Sequence, residues 1–136
     1  MITGINHITL AVWDVGRSFD FYTRVLGLQP VMNSLDAAYL TAGDLWIALV
    51  RDDRVRSGPL PEYTHLAFSV PPDDFARVQS ELESAGVEKW QENRTEGDSF
   101  YFLDPDGHKL EVHGSDLETR VRTLKRMTGG EREWFV

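Results

Sequence analysis

Apolar and polar positions alternate from His7 to Val12 (HITLAV) and again from His65 to Val70 (HLAFSV), the period of a strand with one buried face. A short polar break follows each, and then a helical period. Phe19, Tyr22 and Leu26 share one stripe in the first copy, and Phe75, Val78 and Leu82 share one in the second. Gly27 and Gly86 stand where a helix closes on a left-handed residue, twenty residues after His7 and twenty-one after His65. Further strands are predicted at Ala37–Thr41 and Leu45–Val50, around Ala42-Gly43-Asp44. In the second copy they fall at Phe100–Asp104 and His108–His113, around an Asp-Pro-Asp-Gly turn. Each half therefore reads as βαβββ, its least marked strand directly after the helix.

Such a unit cannot cover its own sheet, so the two are expected to combine into an α+β fold of paired βαβββ modules with a cup-shaped mixed sheet. The predicted organisation is a single domain over 1–136: a first module at 1–56, a second at 62–114, and a C-terminal helix and tail at 115–136. Asp52–Pro61, with Gly58, Pro59 and Pro61, is the linker. The terminal helix carries Leu117, Val121 and Leu124 on one side, and the Gly129-Gly130 segment is expected to be a mobile tail.

Strand alternation then sorts the polar residues by face. His7, Thr9 and Ala11 point one way and Ile8, Leu10 and Val12 the other; His65, Ala67 and Ser69 likewise oppose Leu66, Phe68 and Val70. With the large apolar sets packed on the helices, both histidines face the inside of the cup. Glu111 shares a face with Lys109 and His113, opposite Leu110 and Val112. A carboxylate inside an apolar strand calls for a partner. Two imidazoles and one carboxylate make a facial site with open positions for a divalent metal and a substrate. The first-half position matching Glu111 is about Ala48, which cannot ligate and leaves a gap for a substrate oxygen.

Composition narrows the function. A net charge of -8 argues against nucleic acid and anionic membrane surfaces as partners. With no cysteine, disulfides, zinc-thiolate sites and a cysteine nucleophile are excluded. Neither a signal peptide nor a membrane-spanning apolar run is found, so a soluble cytoplasmic protein is expected.

Four stretches, NHITLAV, AYLTAGDLWIAL, YTHLAFSV and above all ENRTEGDSFYFLDPDGHKLEVH, give the chain as far as about Arg126 a resemblance to a known group. It resembles the fosfomycin-resistance thiol transferases of the vicinal oxygen chelate (glyoxalase/bleomycin-resistance) superfamily. The resemblance implies a Mn2+-dependent enzyme that opens the epoxide of fosfomycin with glutathione. It implies His7, His65 and Glu111 as the metal ligands, in a homodimer whose modules are exchanged, so that His7 comes from one chain and the other two ligands from its partner. Asn93, Thr95, Gly97 and Ser99 fall in a loop that holds K+ beside the phosphonate. Thr9, Ser99, Tyr101 and Arg120 match contacts to the phosphonate or the metal-bound oxygen. Tyr39 and Trp46 match the wall near the epoxide and thiol, and Tyr63 another pocket residue. Thr9 favours glutathione, because bacillithiol-using relatives carry Cys there.

Three positions depart from the family pattern: Gln91 stands for a phosphonate-facing Lys, Thr95 for Ser, and Ala48 for a residue that is often Cys. Apart from the resemblance, Trp13, Trp46 and Trp90 read as core or rim aromatics, His108 as a surface residue, His113 as a spare ligand at most, and Arg120 as a solvated helix residue. Competing functions are an epoxide hydrolase using water, an extradiol dioxygenase and a drug-sequestering binder. Hydrolysis needs a carboxylate base; Asp44 lies in a turn and Glu92 precedes the cation loop.

Overall fold

The computed structural model describes residues 1–127 and 130–136, so Gly129 of the expected tail lies outside the described residues. The first module runs β1 (His7–Val12), α1 (Val15–Asp20), a π-helical turn (Phe21–Val25), β2 (Gln29–Asn33), β3 (Ala37–Ala42) and β4 (Leu45–Arg51). The second runs β5 (Leu66–Ser69), a 3₁₀ turn (Pro72–Asp74), α2 (Phe75–Ser84), β6 (Lys89–Gln91), β7 (Ser99–Leu103) and β8 (Lys109–His113), and α3 (Leu117–Arg126) follows. Each module forms its own four-stranded mixed sheet, ordered β1-β4-β3-β2 and β5-β8-β7-β6. In each, the first strand lies parallel to the last and the other pairings are antiparallel. The paired βαβββ architecture expected from the alternation is the observed one. The strand after each helix exists, and both copies carry a register irregularity, at Pro30/Met32 and Lys89/Gln91.

Alternation decides what is buried. Leu10 and Val12 of β1 enter the core, whereas His7 and Thr9 on the opposite face are exposed. Ile47, Leu49, Phe100, Phe102, Leu110 and Val112 join them with Tyr22 and Leu82 from the helices in one cluster spanning both modules. Each large apolar side chain buried this way contributes about 1.5–3 kcal/mol. The first helix differs from expectation. Its α-helical part stops at Asp20 and a π turn follows, with the Leu26 N–H bonded to the Phe21 carbonyl. The wider turn accompanies Tyr22 in the core, its hydroxyl donating to Asp104 Oδ2 at 2.7 Å. Burial, and next the Asp104 carboxylate, push the Tyr22 phenol well above its ordinary pKa.

The Asp-Pro-Asp-Gly turn fastens the second module to the first. Asp104 Oδ1 accepts from the N–H groups of Asp106 and His108, both at 2.9 Å. Asp106 accepts from Trp13 N (3.1 Å), Arg17 Nη2 (3.0 Å) and Ser18 Oγ (3.4 Å), at the start of α1. His108, expected at the surface, is instead buried, and its Nε2 donates to the Ala11 carbonyl at 2.7 Å. It is buried because the turn packs against the end of β1, where the Ala11 carbonyl accepts from the imidazole. Gly107 has φ +91, and a Cβ there would meet the Gly58 backbone at 2.5 Å. Gly107→Ala is therefore expected to lower stability by about 2–4 kcal/mol, read as a shifted urea midpoint at unchanged slope.

Candidate functional site

The two sheets place equivalent residues on equivalent rungs. In the second, Ala67, Glu111 and Tyr101 lie side by side on β5, β8 and β7. In the first, Thr9, Ala48 and Tyr39 do so on β1, β4 and β3. Ala48 is thus the register counterpart of Glu111, and Thr9 that of Ala67. Small Ala67 beside Glu111 leaves space over the carboxylate on the open face.

Glu111 is only 7% exposed. Its Oε1 lies 3.0 Å from His65 Nε2, and its Oε2 accepts from Ser99 Oγ at 2.6 Å. Ser99 has one hydroxyl proton, and Glu111 takes it. His113 Nδ1, 2.6 Å from the same oxygen, is then the donor to Ser99. His113 Nδ1 also lies 3.4 Å from Glu111 Oε2, the carboxylate oxygen away from His65.

The His65 tautomer follows from its other nitrogen. Nδ1 lies 2.8 Å from the Tyr63 carbonyl, which can only accept, so Nδ1 carries the proton. In the neutral ring Nε2 then presents a lone pair to a carboxylate oxygen. Two electron-pair donors facing each other at 3.0 Å repel unless a positive charge sits with them. A backbone carbonyl behind one nitrogen and a carboxylate before the other is the setting of a metal-binding histidine. The pair fits a divalent cation. Around it, Tyr63, Trp90 and Tyr101 hold the imidazole edge-on, with ring centroids 5.0, 5.4 and 6.0 Å away.

His7 is elsewhere. It is exposed on the open face of the first sheet, its Nδ1 2.7 Å from Asn6 Oδ1 and its ring 4.4 Å from that of Trp46. Tyr39 packs edge-on against Trp46 at 5.1 Å, and the buried Trp46 Nε1 has no hydrogen-bond partner among the described residues. Among the described residues no three His, Asp or Glu side chains group to hold a metal. One chain brings His65 and Glu111 together and leaves His7 on the other sheet.

The remaining predicted residues divide similarly. Asn93 closes its own loop: Oδ1 accepts from Thr95 N and Oγ1, both at 3.1 Å, and Nδ2 donates to the Gly97 carbonyl at 3.0 Å. Gly97, at φ +74, packs against Ser115, where a Cβ would come within 2.9 Å. Ser99 turns away from this loop toward Glu111. Arg120 Nε bonds Glu96, which ties α3 to the loop. Gln91 Nε2 donates to the Tyr63 hydroxyl at 2.9 Å. Trp90 and Lys109 escaped sequence reasoning. Trp90 looked like an ordinary rim aromatic, yet its Nε1 donates to the Leu110 carbonyl at 3.0 Å and its ring backs His65. The signal available for Lys109 was its place on the Glu111 face. A groove of about 760 Å³ between the modules, lined by Leu28, Leu45, Phe68 and Leu82, is on the helix side and contains none of the predicted ligands.

The fold is shared with known proteins. Residues 4–112 match the Glyoxalase/Bleomycin resistance protein/Dioxygenase superfamily. Glutathione transferase FosA of Serratia marcescens is 47% identical over 127 residues, 92% of this chain and 90% of that protein. Metallothiol transferase FosB of Staphylococcus haemolyticus is 37% identical over 129 residues, 92% and 93% of the two chains. A crystal structure of a mutant fosfomycin resistance protein FosX from Listeria monocytogenes, complexed with Mn(II) and 1S,2S-dihydroxypropylphosphonic acid, superposes with a TM-score of 0.78 at 28% identity, covering 91% of this chain and 99% of that one. With the paired-module scaffold in place and relatives matched over nearly their whole length, the chain belongs to the glyoxalase/bleomycin resistance protein/dioxygenase superfamily and, within it, to the fosfomycin-resistance enzymes.

Proposed function

We propose that this protein opens the epoxide of fosfomycin with glutathione, using Mn2+ held by His65 and Glu111 of one chain and His7 of a second copy. The observation that carries the reading is the partly buried His65–Glu111 pair, in a chain 47% identical to a glutathione transferase over 92% of its length. When bound, the metal supplies Lewis acidity at the epoxide oxygen. In the reaction a carbon–oxygen bond of the ring breaks and a carbon–sulfur bond forms, and the thiol proton ends on the released oxygen. The hydroxyls of Thr9 and Tyr39, on one rung of the open face, are the proposed donors to that oxygen. Trp46 and Tyr63 wall the pocket and exclude water, which favours an oriented thiolate over solvent. Arg120, Tyr101 and Ser99 are assigned to the phosphonate end. The oxygens of Asn93, Thr95, Gly97 and Ser99 are assigned to K+, in competition with the Asn93 amide for the Gly97 carbonyl.

Two copies are proposed because the ligands are split. His7 is exposed on one sheet and the His65–Glu111 pair lies on the other.

Hydrolysis by water is the second reading. The FosX relative was crystallised with a dihydroxypropylphosphonic acid, which carries two hydroxyls and no sulfur. Against it, Glu92 is an exposed residue bonded to Lys89, and Asp44 sits in the turn between β3 and β4. The deciding experiment supplies purified protein, Mn2+ and fosfomycin with glutathione, L-cysteine, bacillithiol or water alone, and resolves the products by phosphorus NMR. A glutathione adduct formed fastest supports the proposal; a diol formed equally fast without thiol replaces it with the hydrolase.

Gln91 sets a further expectation. It is neutral and satisfies the Tyr63 hydroxyl, where the enzymes this chain resembles carry Lys. A cation there serves ground and transition states alike, so Gln91→Lys is expected to lower the Michaelis constant for fosfomycin more than it raises turnover. The gain is about tenfold or more in kcat/KM, since ~1.4 kcal/mol corresponds to that factor. Unchanged or poorer kinetics would mean either that another cation already fills this place or that fosfomycin is not the substrate this pocket is shaped for.

A further inference from the structure

His65 lies one residue before β5, so its aim depends on the 61–64 segment that delivers it from the linker. Outside the strand ladders, residues 60–64 make no backbone–backbone hydrogen bond among the described residues. Side chains from the second sheet hold the segment instead. Lys109 Nζ, on the same strand as Glu111, donates to the Glu62 carbonyl at 2.7 Å and lies 5.0 Å from the Trp90 ring centroid. Gln91 on β6 holds the Tyr63 hydroxyl, and the next carbonyl along the chain from Glu62 is the one that orients His65 Nδ1.

We propose that Lys109 is a positioning residue for the metal centre: by clamping the Glu62 carbonyl against Trp90 it holds the Tyr63 carbonyl in place, and so fixes the tautomer and direction of His65. The geometry separates this role from charge pairing. Strand alternation puts the ammonium on the face of Glu111, two residues away, yet its hydrogen bond goes to a backbone carbonyl and its charge sits over an indole ring. A point charge on a flexible stem suits this work, because one donor bridges the strand and an otherwise unladdered segment. The proposal rests on reading His65 and Glu111 as a metal pair.

The test compares Lys109→Met, which keeps the stem and loses the ammonium, with Lys109→Arg, which keeps a donor and a cation for the ring. Mn2+ affinity is measured by calorimetry, and the hydrogen-bonded His65 Nδ1–H by 15N NMR of the metal-free protein. Lys109→Met is expected to weaken Mn2+ binding by about tenfold or more, the scale of losing an outer partner of a ligating His. It should also lose the ordered His65 Nδ1–H signal, while Lys109→Arg retains the wild-type values and Lys125→Met, on exposed α3, changes neither. Wild-type affinity and Nδ1–H signal in Lys109→Met overturn the proposal, as does a loss that Lys109→Arg does not restore. Wild-type affinity in Glu111→Ala would instead overturn the metal pair itself.

Discussion

Glu111→Ala is expected to abolish turnover and to weaken Mn2+ binding by at least about a hundredfold, beyond the loss seen on removing outer-shell partners alone. The carboxylate is the one anionic ligand proposed, and it is buried, so water cannot easily take its place. It also organises its surroundings, accepting the Ser99 proton and facing His65 Nε2. Its removal frees the Ser99 hydroxyl, which can donate to His113 Nδ1 once that imidazole takes its other tautomer, so the fold is expected to survive. Glu111→Gln separates charge from packing, because the amide keeps the volume and loses the negative charge. Titration of Mn2+ into each variant, alongside a thermal melt, reads both effects. Full metal affinity in Glu111→Ala with an intact fold would show that the ligand set is wrong.

Mixing two inactive variants is expected to restore activity. His7→Ala and Glu111→Ala chains each lack one ligand, and by the proposal these ligands come from different subunits. A mixed dimer then contains one intact site and one site with both lesions. Free exchange at equal concentrations makes half of the dimers mixed, so about a quarter of wild-type activity should return. The recovery must require exchange, and it should fail when either variant is cross-linked to its own kind beforehand. No activity after confirmed exchange would mean that each site is built from a single chain, with His7 outside it.

Sequence alone determined the local layer of this protein. The period-two apolar pattern of β1 and β5 is visible because burying one face of a strand requires it, and the Phe19, Tyr22 and Leu26 stripe is visible because a helix packs by one side. The same alternation placed Glu111 on the face opposite Leu110 and Val112, and its singularity as a carboxylate in an apolar strand marked it out. The π turn at Phe21–Val25 was invisible, since its residues suit an α-helix equally well and the Leu26 N–H to Phe21 carbonyl bond that defines it is a feature of the folded backbone alone.

Everything that depends on which surfaces meet was decided by tertiary structure. Asp-Pro-Asp-Gly announces a turn, but nothing local says that Asp106 will meet Arg17 and Ser18, 89 and 88 residues away, or that His108 will be buried against β1. The four side chains around His65 come from the 62–65 segment, β6, β7 and β8, and Trp90 and Lys109 have unremarkable neighbours in sequence. The separation of His7 from the His65–Glu111 pair is of the same kind. Alternation tells each side chain which face of its own strand it occupies, because that choice is made within a few residues. It says nothing about which sheet stands opposite, because that is settled by long-range packing of the two modules around one core.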